Sequence, residues 1–314
     1  MSFTSPLQKI QQQMQQFKQT SQNLVNPLLD HPAKLKNALH LIDQFLHKPP
    51  KGVWSGVHPA NLANDLKIRV QKPNSIAQQG SMWCGPASVC ASFAADSPVD
   101  YAKMVLDLYS TGRAVVSAGL RTFPAKVFLA SHELRTYVFQ GTHISSADWI
   151  PLATLRESLD PANKLAPTAI YFNQGTLNPD VVKFYKEMGY FIVIDEMIGA
   201  MKSDRALQLI QQASSLRKQY YRVSMGINDD MLSPDASVRA RNSVSLRNNQ
   251  FARISSNHWV ELLTPIEITG FGNNATVRFI VFSWGSEQTV PPAGAVMTLE
   301  HFTSNFFGFV AAKY

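Results

Sequence analysis

The feature that most constrains the fold of this 314-residue chain is residues 84–94, a run of small and apolar residues interrupted only by serines. No face of the run carries charge, so it predicts a helix that is buried on nearly all sides. Pro86 fits a helix only in its first turn, which places the predicted start at Cys84. Free backbone N–H groups and the helix dipole stabilise a thiolate there. We therefore expect the pKa of Cys84 to lie below the ~8.5 of a free thiol.

Two glutamines precede this helix and are candidates for an oxyanion donor. The side-chain N–H of Gln78 or Gln79 would act together with the backbone N–H of Cys84, and the spacing does not separate the two glutamines. Gly85 would let a substrate approach the backbone closely. The segment therefore predicts a cysteine nucleophile with an oxyanion site beside it.

Three short motifs then occur in a fixed order along the chain: a glutamine followed by Trp83-Cys84-Gly85-Pro86-Ala87-Ser88, then Asn257-His258-Trp259-Val260, then Phe282-Ser283-Trp284-Gly285. Together they resemble the papain-like cysteine peptidase superfamily, and most of all its bacterial bacteriocin-processing branch, in which Cys-Gly-Pro-Ala is common. The resemblance spans residues 67–314 in topology and is close only at these motifs. It implies a papain-like fold, Cys84 as nucleophile and His258 as base.

The third motif departs from the family at Phe282, where papain-like enzymes place the Asn or Asp that orients the histidine. Phenylalanine cannot accept a hydrogen bond from the imidazole. A hairpin centred near Gly272 would bring Ser283, Ser286 and Glu287 within reach of His258. We favour Ser283 as the orienting residue. A Cys–His dyad oriented by backbone or water is the alternative.

The resemblance also implies the reaction, which is cleavage of a peptide or isopeptide bond through an acyl-enzyme. Glutamine deamidases, transglutaminases and acyltransferases use the same Cys–His site, and a catalytically inactive papain-like binding module is a further alternative. Four residues are candidates for substrate binding, although core packing explains the first and third equally well: Trp83, Gly85, Trp259 and Trp284.

The hydrophobic pattern predicts an α+β fold, in which helices carry the nucleophile and pack on a C-terminal antiparallel sheet. Residues 1–50 form a predicted N-terminal helical segment, and residues 51–314 form the predicted catalytic domain. The N-terminal segment is either a helical hairpin that packs on the main domain or a detachable element for docking or secretion. Within the catalytic domain we predict helices at 84–94, 99–109, 122–133, 149–158, 179–187 and 203–219, and strands at 67–72, 167–172, 190–194, 223–227, 259–268 and 277–284.

Composition limits the remaining choices. The net charge is +7, and residues 202–253 carry nine basic against four acidic side chains, so they form either a solvated loop or a surface for an acidic partner. Cys84 and Cys90 are too far apart on one helix to form a disulfide. The other histidines lack metal-ligand spacing, so we expect no metal and no cofactor. Without an evident signal peptide or apolar span, we expect a soluble protein, cytoplasmic or secreted without a cleavable signal. The glutamine-rich, glutamate-free start is compatible with a secreted bacterial effector.

Overall fold

The computed structural model describes residues 31–79, 81–116, 125–136, 144–159, 176, 178–197, 203–239 and 258–314. Within these ranges helices dominate the first half and antiparallel strands the second, which confirms the predicted α+β class. The helices are α1 (His31–His47), α2 (Pro59–Gln71), α3 (Cys84–Asp96), α4 (Pro98–Thr111), α5 (His132–Thr136), α6 (Ser146–Leu159), α7 (Asn178–Glu187), α8 (Ser203–Lys218), α9 (Ala236–Arg239) and α10 (Leu299–Asn305).

The strands form two antiparallel sheets. A small hairpin joins β1 (Arg113–Val116) to β2 (Lys126–Leu129). The large sheet has the order β3-β9-β4-β5-β7-β6, with β8 also paired to β7. Its strands are β3 (Phe191–Met197), β4 (Arg222–Ile227), β5 (His258–Leu262), β6 (Glu267–Thr269), β7 (Thr276–Ser283), β8 (Ser286–Val290) and β9 (Phe306–Lys313).

The large sheet is covered by apolar side chains on both faces. Along β9, Val310 and Ala312 belong to a core shared with α1–α4, α6 and α7, whereas Phe309 and Ala311 belong to a second core shared with α8 and α10. This alternation follows from the two-residue period of a strand. Helix α3 lies in the first core and packs directly against β5. The fold therefore brings the helix that begins at Cys84 onto the strand that begins at His258.

Most predicted elements are confirmed, one is divided and two are wrong. The strand predicted at 259–268 is two strands, β5 and β6, separated by residues 263–266. The strand predicted at 67–72 is wrong: residues 67–71 form the end of α2, because Leu62, Leu66 and Val70 repeat every four residues and are buried, while Ile68 is exposed. Within residues 67–72 alone, apolar and polar side chains alternate, and this local pattern is typical of a strand. The helix predicted at 122–133 is also wrong, since residues 126–129 form β2 and the helix there spans only His132–Thr136. Pairing with β1 supplies the strand, and that long-range contact leaves no local signal.

The first helix of the predicted N-terminal hairpin lies outside the described residues. The strand predicted at 167–172 lies outside them as well. The second helix of the predicted hairpin corresponds to α1, which buries Ala38 and Ile42 against α2 and α4. In the part of the chain described above, no helix is long and apolar enough to cross a membrane.

Candidate active site

Cys84 is the first residue of α3, as the position of Pro86 predicts. The backbone N–H groups of Trp259, Gly85 and Cys84 itself act on its sulfur and favour the thiolate. Two of them belong to the helix N-terminus and the third to β5. Because Trp259 directly follows His258 and α3 packs on β5, the segment around Cys84 lies beside the segment around His258.

His258 opens β5 and is almost fully buried. Its Nε2 lies 2.6 Å from Ser283 Oγ. In the tautomer that carries the proton on Nε2, the ring donates this bond to the hydroxyl and leaves Nδ1 unprotonated. Ser283 therefore holds the imidazole in the way expected of an orienting residue.

The other candidates for this role are engaged elsewhere. Phe282 is buried in the core shared with the helices and is paired in register with Glu261. Ser286 Oγ donates to the carbonyl of Ser283 at 3.3 Å, and Glu287 Oε1 accepts from Asn74 Nδ2 at 2.8 Å. Of the three residues expected near His258, the structure places Ser283 in contact with the imidazole.

Trp284 covers the imidazole from the solvent side. Its indole stacks on the His258 ring with centroids 4.4 Å apart and is itself 43% exposed. Trp284 and Gly285 form the two-residue turn between β7 and β8, and both have positive φ, 48° and 80°. Asn-Gly is the favoured pair for this turn, and a bulky residue with positive φ is strained. Tryptophan is therefore unfavourable at this turn position, but it places a large exposed ring directly over the histidine.

The loop that leads into α3 is held by a buried ion pair. Arg69 donates twice to Asp148, with Nε–Oδ1 at 2.8 Å and Nη2–Oδ2 at 2.7 Å, and Asp148 is fully buried. Asp148 Oδ2 also accepts from the backbone N–H of Ala77 at 3.1 Å. On its other side Ala77 abuts Gly285, where an added Cβ would lie 2.8 Å from the Ala77 Cβ. The turn that carries Trp284 therefore packs on the loop that carries the glutamines.

The structure distinguishes the two glutamines. Gln78 is buried and its Nε2 donates to the carbonyl of Ser81 at 2.8 Å, while Ser81 Oγ donates back to the carbonyl of Gln78 at 2.7 Å. Gln79 is exposed and has a positive φ of 50°. Gln78 is therefore the glutamine that the loop turns inward.

Two of the predicted substrate-binding tryptophans are core residues. Trp83 is buried and packs against Trp149 with ring centroids 5.3 Å apart. Trp259 is equally buried, and its Nε1 donates to the carbonyl of Thr176 at 2.8 Å. The placement of Trp83 and Trp259 on a groove is corrected in favour of core packing, whereas Trp284 remains accessible.

Gly85 is constrained by its neighbour. A Cβ at this position would lie 2.3 Å from Cγ2 of Thr176 and 2.9 Å from its Oγ1. The space beside Gly85 is therefore filled by Thr176, so a substrate at this point would meet the threonine and not the backbone of Gly85. The glycine is required for close packing of α3 against this threonine.

A buried polar network fastens α3 to β5 below the site. Ser88, one turn after Cys84, bonds Ser224 Oγ at 2.9 Å, and Ser224 donates to Glu261 Oε2 at 3.0 Å. Tyr185 bonds both Ser224 and Glu261, at 2.8 and 3.1 Å. All four side chains are nearly inaccessible to solvent. Since Glu261 lies three residues after His258, the network fixes the helix that begins at Cys84 to the strand that begins at His258.

Burial dominates the electrostatics of the site. It raises the pKa of Cys84 to about 11, although the three backbone N–H groups act in the opposite direction and Asp229 adds to the rise. Burial also lowers the pKa of His258 to about 3. The expectation that Cys84 titrates below a free thiol is therefore wrong for this closed arrangement. The reason is that the loss of hydration around the thiol raises its pKa by more than the helix N-terminus lowers it.

Several residues of the site escaped sequence reasoning: Arg69, Asp148, Thr176 and Asp229. A lone arginine, aspartate or threonine has no motif around it, and the contacts that join these residues to the site are made across long stretches of chain. Only Asp148 has a local signal, because it is an acidic residue directly before the helix predicted at 149–158; in the structure it lies in the first turn of α6.

Of residues 202–253, the predicted surface for an acidic partner, the structure describes 203–239. Two of its cations face the protein interior. Arg222 makes a bidentate pair with Asp96 at 2.6 and 2.9 Å, and Arg217 Nε donates to the carbonyl of Leu263 at 2.9 Å. These two contribute to packing, which reduces the charge available to a partner. Among the described residues, no group of three His, Cys, Asp or Glu side chains could hold a metal ion.

Comparisons with protein-family models, with curated proteins and with solved structures gave no match to this chain. The geometry around Cys84 and His258 therefore carries the functional conclusion.

Proposed function

We propose that the protein is a papain-like, cysteine-dependent hydrolase that cleaves a peptide or isopeptide bond, with Cys84 as nucleophile and His258 as base. The observation that carries the proposal is the contact between the two motifs. The helix that begins at Cys84 packs on the strand that begins at His258, where the backbone N–H of Trp259 favours the thiolate. Ser283 Oγ lies 2.6 Å from Nε2 of the adjacent His258. A nucleophile, a base and an orienting residue are the parts that thiol catalysis needs.

In the proposed reaction, His258 takes the thiol proton as the Cys84 sulfur attacks the substrate carbonyl. A C–S bond forms, and the electron pair of the C=O bond moves to oxygen, where the side-chain N–H of Gln78 and the N–H of Cys84 stabilise it. Collapse of the intermediate breaks the C–N bond, and His258 returns its proton to the leaving amine. Water then attacks the thioester, and the same histidine serves as base and acid.

The closed site adds a requirement to this scheme. With a pKa of about 11 for the thiol and about 3 for the imidazole, both groups are neutral at pH 7 in the resting protein. The reactive ion pair must form when Trp284 moves or when substrate supplies charge-stabilising contacts. The indole is the exposed part of the site, so its displacement is the simplest way to admit substrate.

A second candidate function is favoured by the same burial. Cys84 is 5% and His258 3% exposed, values typical of core residues, and the family's Asn or Asp is replaced by Phe282. An inactive papain-like module that binds a partner would tolerate a sealed and neutral pair. It would not need a strained tryptophan over the histidine, however, and for this reason we prefer the enzyme.

The test is peptide cleavage. Purified protein and its Cys84→Ala variant are incubated with a complex peptide mixture, and new amino termini are counted by mass spectrometry. The enzyme predicts termini that appear only with the wild type and that are lost in His258→Ala. The Cys90→Ser variant is the matched control, because Cys90 is buried on the same helix and has no role in the mechanism. An equal pattern for wild type and Cys84→Ala would contradict the proposal.

A further inference from the structure

Thr176 lies between the two catalytic motifs. Its backbone carbonyl accepts from Nε1 of Trp259, the residue after His258. Its side chain packs against Gly85, the residue after Cys84, so closely that an added Cβ there would meet Oγ1 at 2.9 Å. One residue therefore contacts the immediate neighbour of the nucleophile and that of the base.

The hydroxyl of Thr176 is buried and lacks a partner. The residue is 1% exposed, and its Oγ1 is one of the few buried side-chain atoms in the described ranges without a hydrogen bond. Buried hydroxyl groups are nearly always hydrogen-bonded, because burying an unpaired one is unfavourable. An orphaned hydroxyl at a reactive centre is explained when its partner arrives with the substrate.

The chemistry of the site indicates which partner this is. One of the two side-chain N–H groups of Gln78 already donates to the carbonyl of Ser81, and the backbone N–H groups of Cys84 and Gly85 also act on the sulfur. Attack of the thiolate creates a new negative oxygen next to α3 that needs donors. Thr176 is the described side chain beside the helix start that holds an uncommitted O–H.

We propose that Thr176 is a third oxyanion donor of the Cys84 site, which rests on the proposed function. Its O–H donates to the carbonyl oxygen of the substrate as the C–S bond forms and the C=O electron pair moves onto that oxygen. The hydrogen bond strengthens in the tetrahedral intermediate and weakens when the C=O bond is restored and the leaving group departs. Thr176 transfers no proton, and His258 remains the acid and base.

The experiment compares two reactions of the same thiol. Acylation by p-nitrophenyl acetate passes through an oxyanion, and its first turnover is followed as a burst of p-nitrophenolate. Alkylation by iodoacetamide forms no oxyanion and reports only the thiol's access and ionisation. Thr176→Val removes the hydroxyl at nearly constant volume, and Thr176→Ser keeps it.

For Thr176→Val we expect acylation about 10- to 100-fold slower than in the wild type, as for loss of one oxyanion donor. Alkylation should stay within about twofold, and Thr176→Ser should retain most of the acylation rate, since its hydroxyl is still present. The melting temperature of Thr176→Val should not fall, because the removed hydroxyl has no partner in the free protein.

Two other results have distinct meanings. A normal burst in Thr176→Val, or equal losses in acylation and alkylation, would overturn the role of Thr176 while leaving Cys84 as a nucleophile. A wild type without any burst beyond that of Cys84→Ala would overturn the proposed function, and the role of Thr176 with it. Should Thr176→Val fail to fold, the comparison of Thr176→Ala with Thr176→Ser gives the same readout.

Discussion

Replacing Trp284 with asparagine should activate the thiol of Cys84. The indole stacks on His258 and shields the site, and Asn-Gly is the preferred pair for a two-residue turn with positive φ at both positions. The substitution therefore opens the site and relieves backbone strain in a single change. We expect the folded state to be at least as stable as the wild type.

The magnitude follows from the two pKa values. From about 11 for Cys84 and about 3 for His258, transfer of the proton from thiol to imidazole costs about 11 kcal/mol. If the two charges are taken to be in contact, ~4 Å apart, their attraction returns about 4 kcal/mol at an effective dielectric constant of about 20. The ion pair is then about 7 kcal/mol above the neutral pair and is populated about once in 10⁵ molecules.

Hydration of the site removes most of the energy difference between the neutral pair and the ion pair. At the ordinary values of 9.0 and 6.5, the transfer costs about 3.4 kcal/mol, of which the attraction in a hydrated site returns about 1 to 4 kcal/mol. For the thiol alone, a return from about 11 to 9.0 raises the thiolate fraction at neutral pH about 100-fold. Trp284→Asn should therefore speed alkylation of Cys84 at pH 7 by at least tenfold, because exposure is partial.

The assay is the rate of iodoacetamide alkylation of Cys84 from pH 5 to 11, followed on the peptide that carries it. The wild-type rate should rise steadily through pH 9, and the variant should react measurably below pH 8. Phe271→Ala, which removes another exposed aromatic ring, is the control and should match the wild type. A wild-type thiol that titrates below 8.5, or a variant with an unchanged profile, would refute the reasoning.

Three further outcomes are expected. Ser283→Ala should slow acylation of Cys84 by p-nitrophenyl acetate about 10-fold, since one hydrogen bond no longer orients His258, while Ser283→Thr should not. His258→Gln should flatten the loss of unfolding free energy between pH 6.5 and about 3. In this range the unfolded wild type binds a proton that the folded state does not bind, which lowers its unfolding free energy by about 5 kcal/mol in total. Urea titrations at pH 7 and pH 4 should record about 3 kcal/mol of this loss in the wild type. Arg69→Leu should lower the free energy of unfolding, measured with denaturant, by about 3–5 kcal/mol, because Asp148 is left buried without its cation. Adding Asp148→Leu should recover stability, and no recovery would exclude the ion pair as the cause.

The sequence predicts the local part of this site well. The start of α3 at Cys84 follows from Pro86 and the small residues after it, and these are properties of one short segment. A hairpin centred near Gly272 places Ser283, Ser286 and Glu287 within reach of His258 without separating them, and the structure places Ser283, the residue we favour, against the imidazole. Its catalytic role remains a prediction.

The features that the sequence could not predict depend on contacts between distant segments. Alternation in residues 67–72 indicated a strand, but the burial of Leu66 and Val70 against other helices makes them part of α2. Likewise, the helix N-terminus predicts an acidic thiol, whereas the enclosing side chains raise its pKa. Propensity and pattern do not report how completely a site is enclosed.

The most direct measurement is the intact mass of the protein after brief exposure to p-nitrophenyl acetate, followed by mapping of the acetyl group. The account predicts one acetyl group on the peptide that contains Cys84, present in Cys90→Ser and lost in His258→Ala. An acetyl group elsewhere, or one on Cys84 that forms equally well without His258, would contradict it.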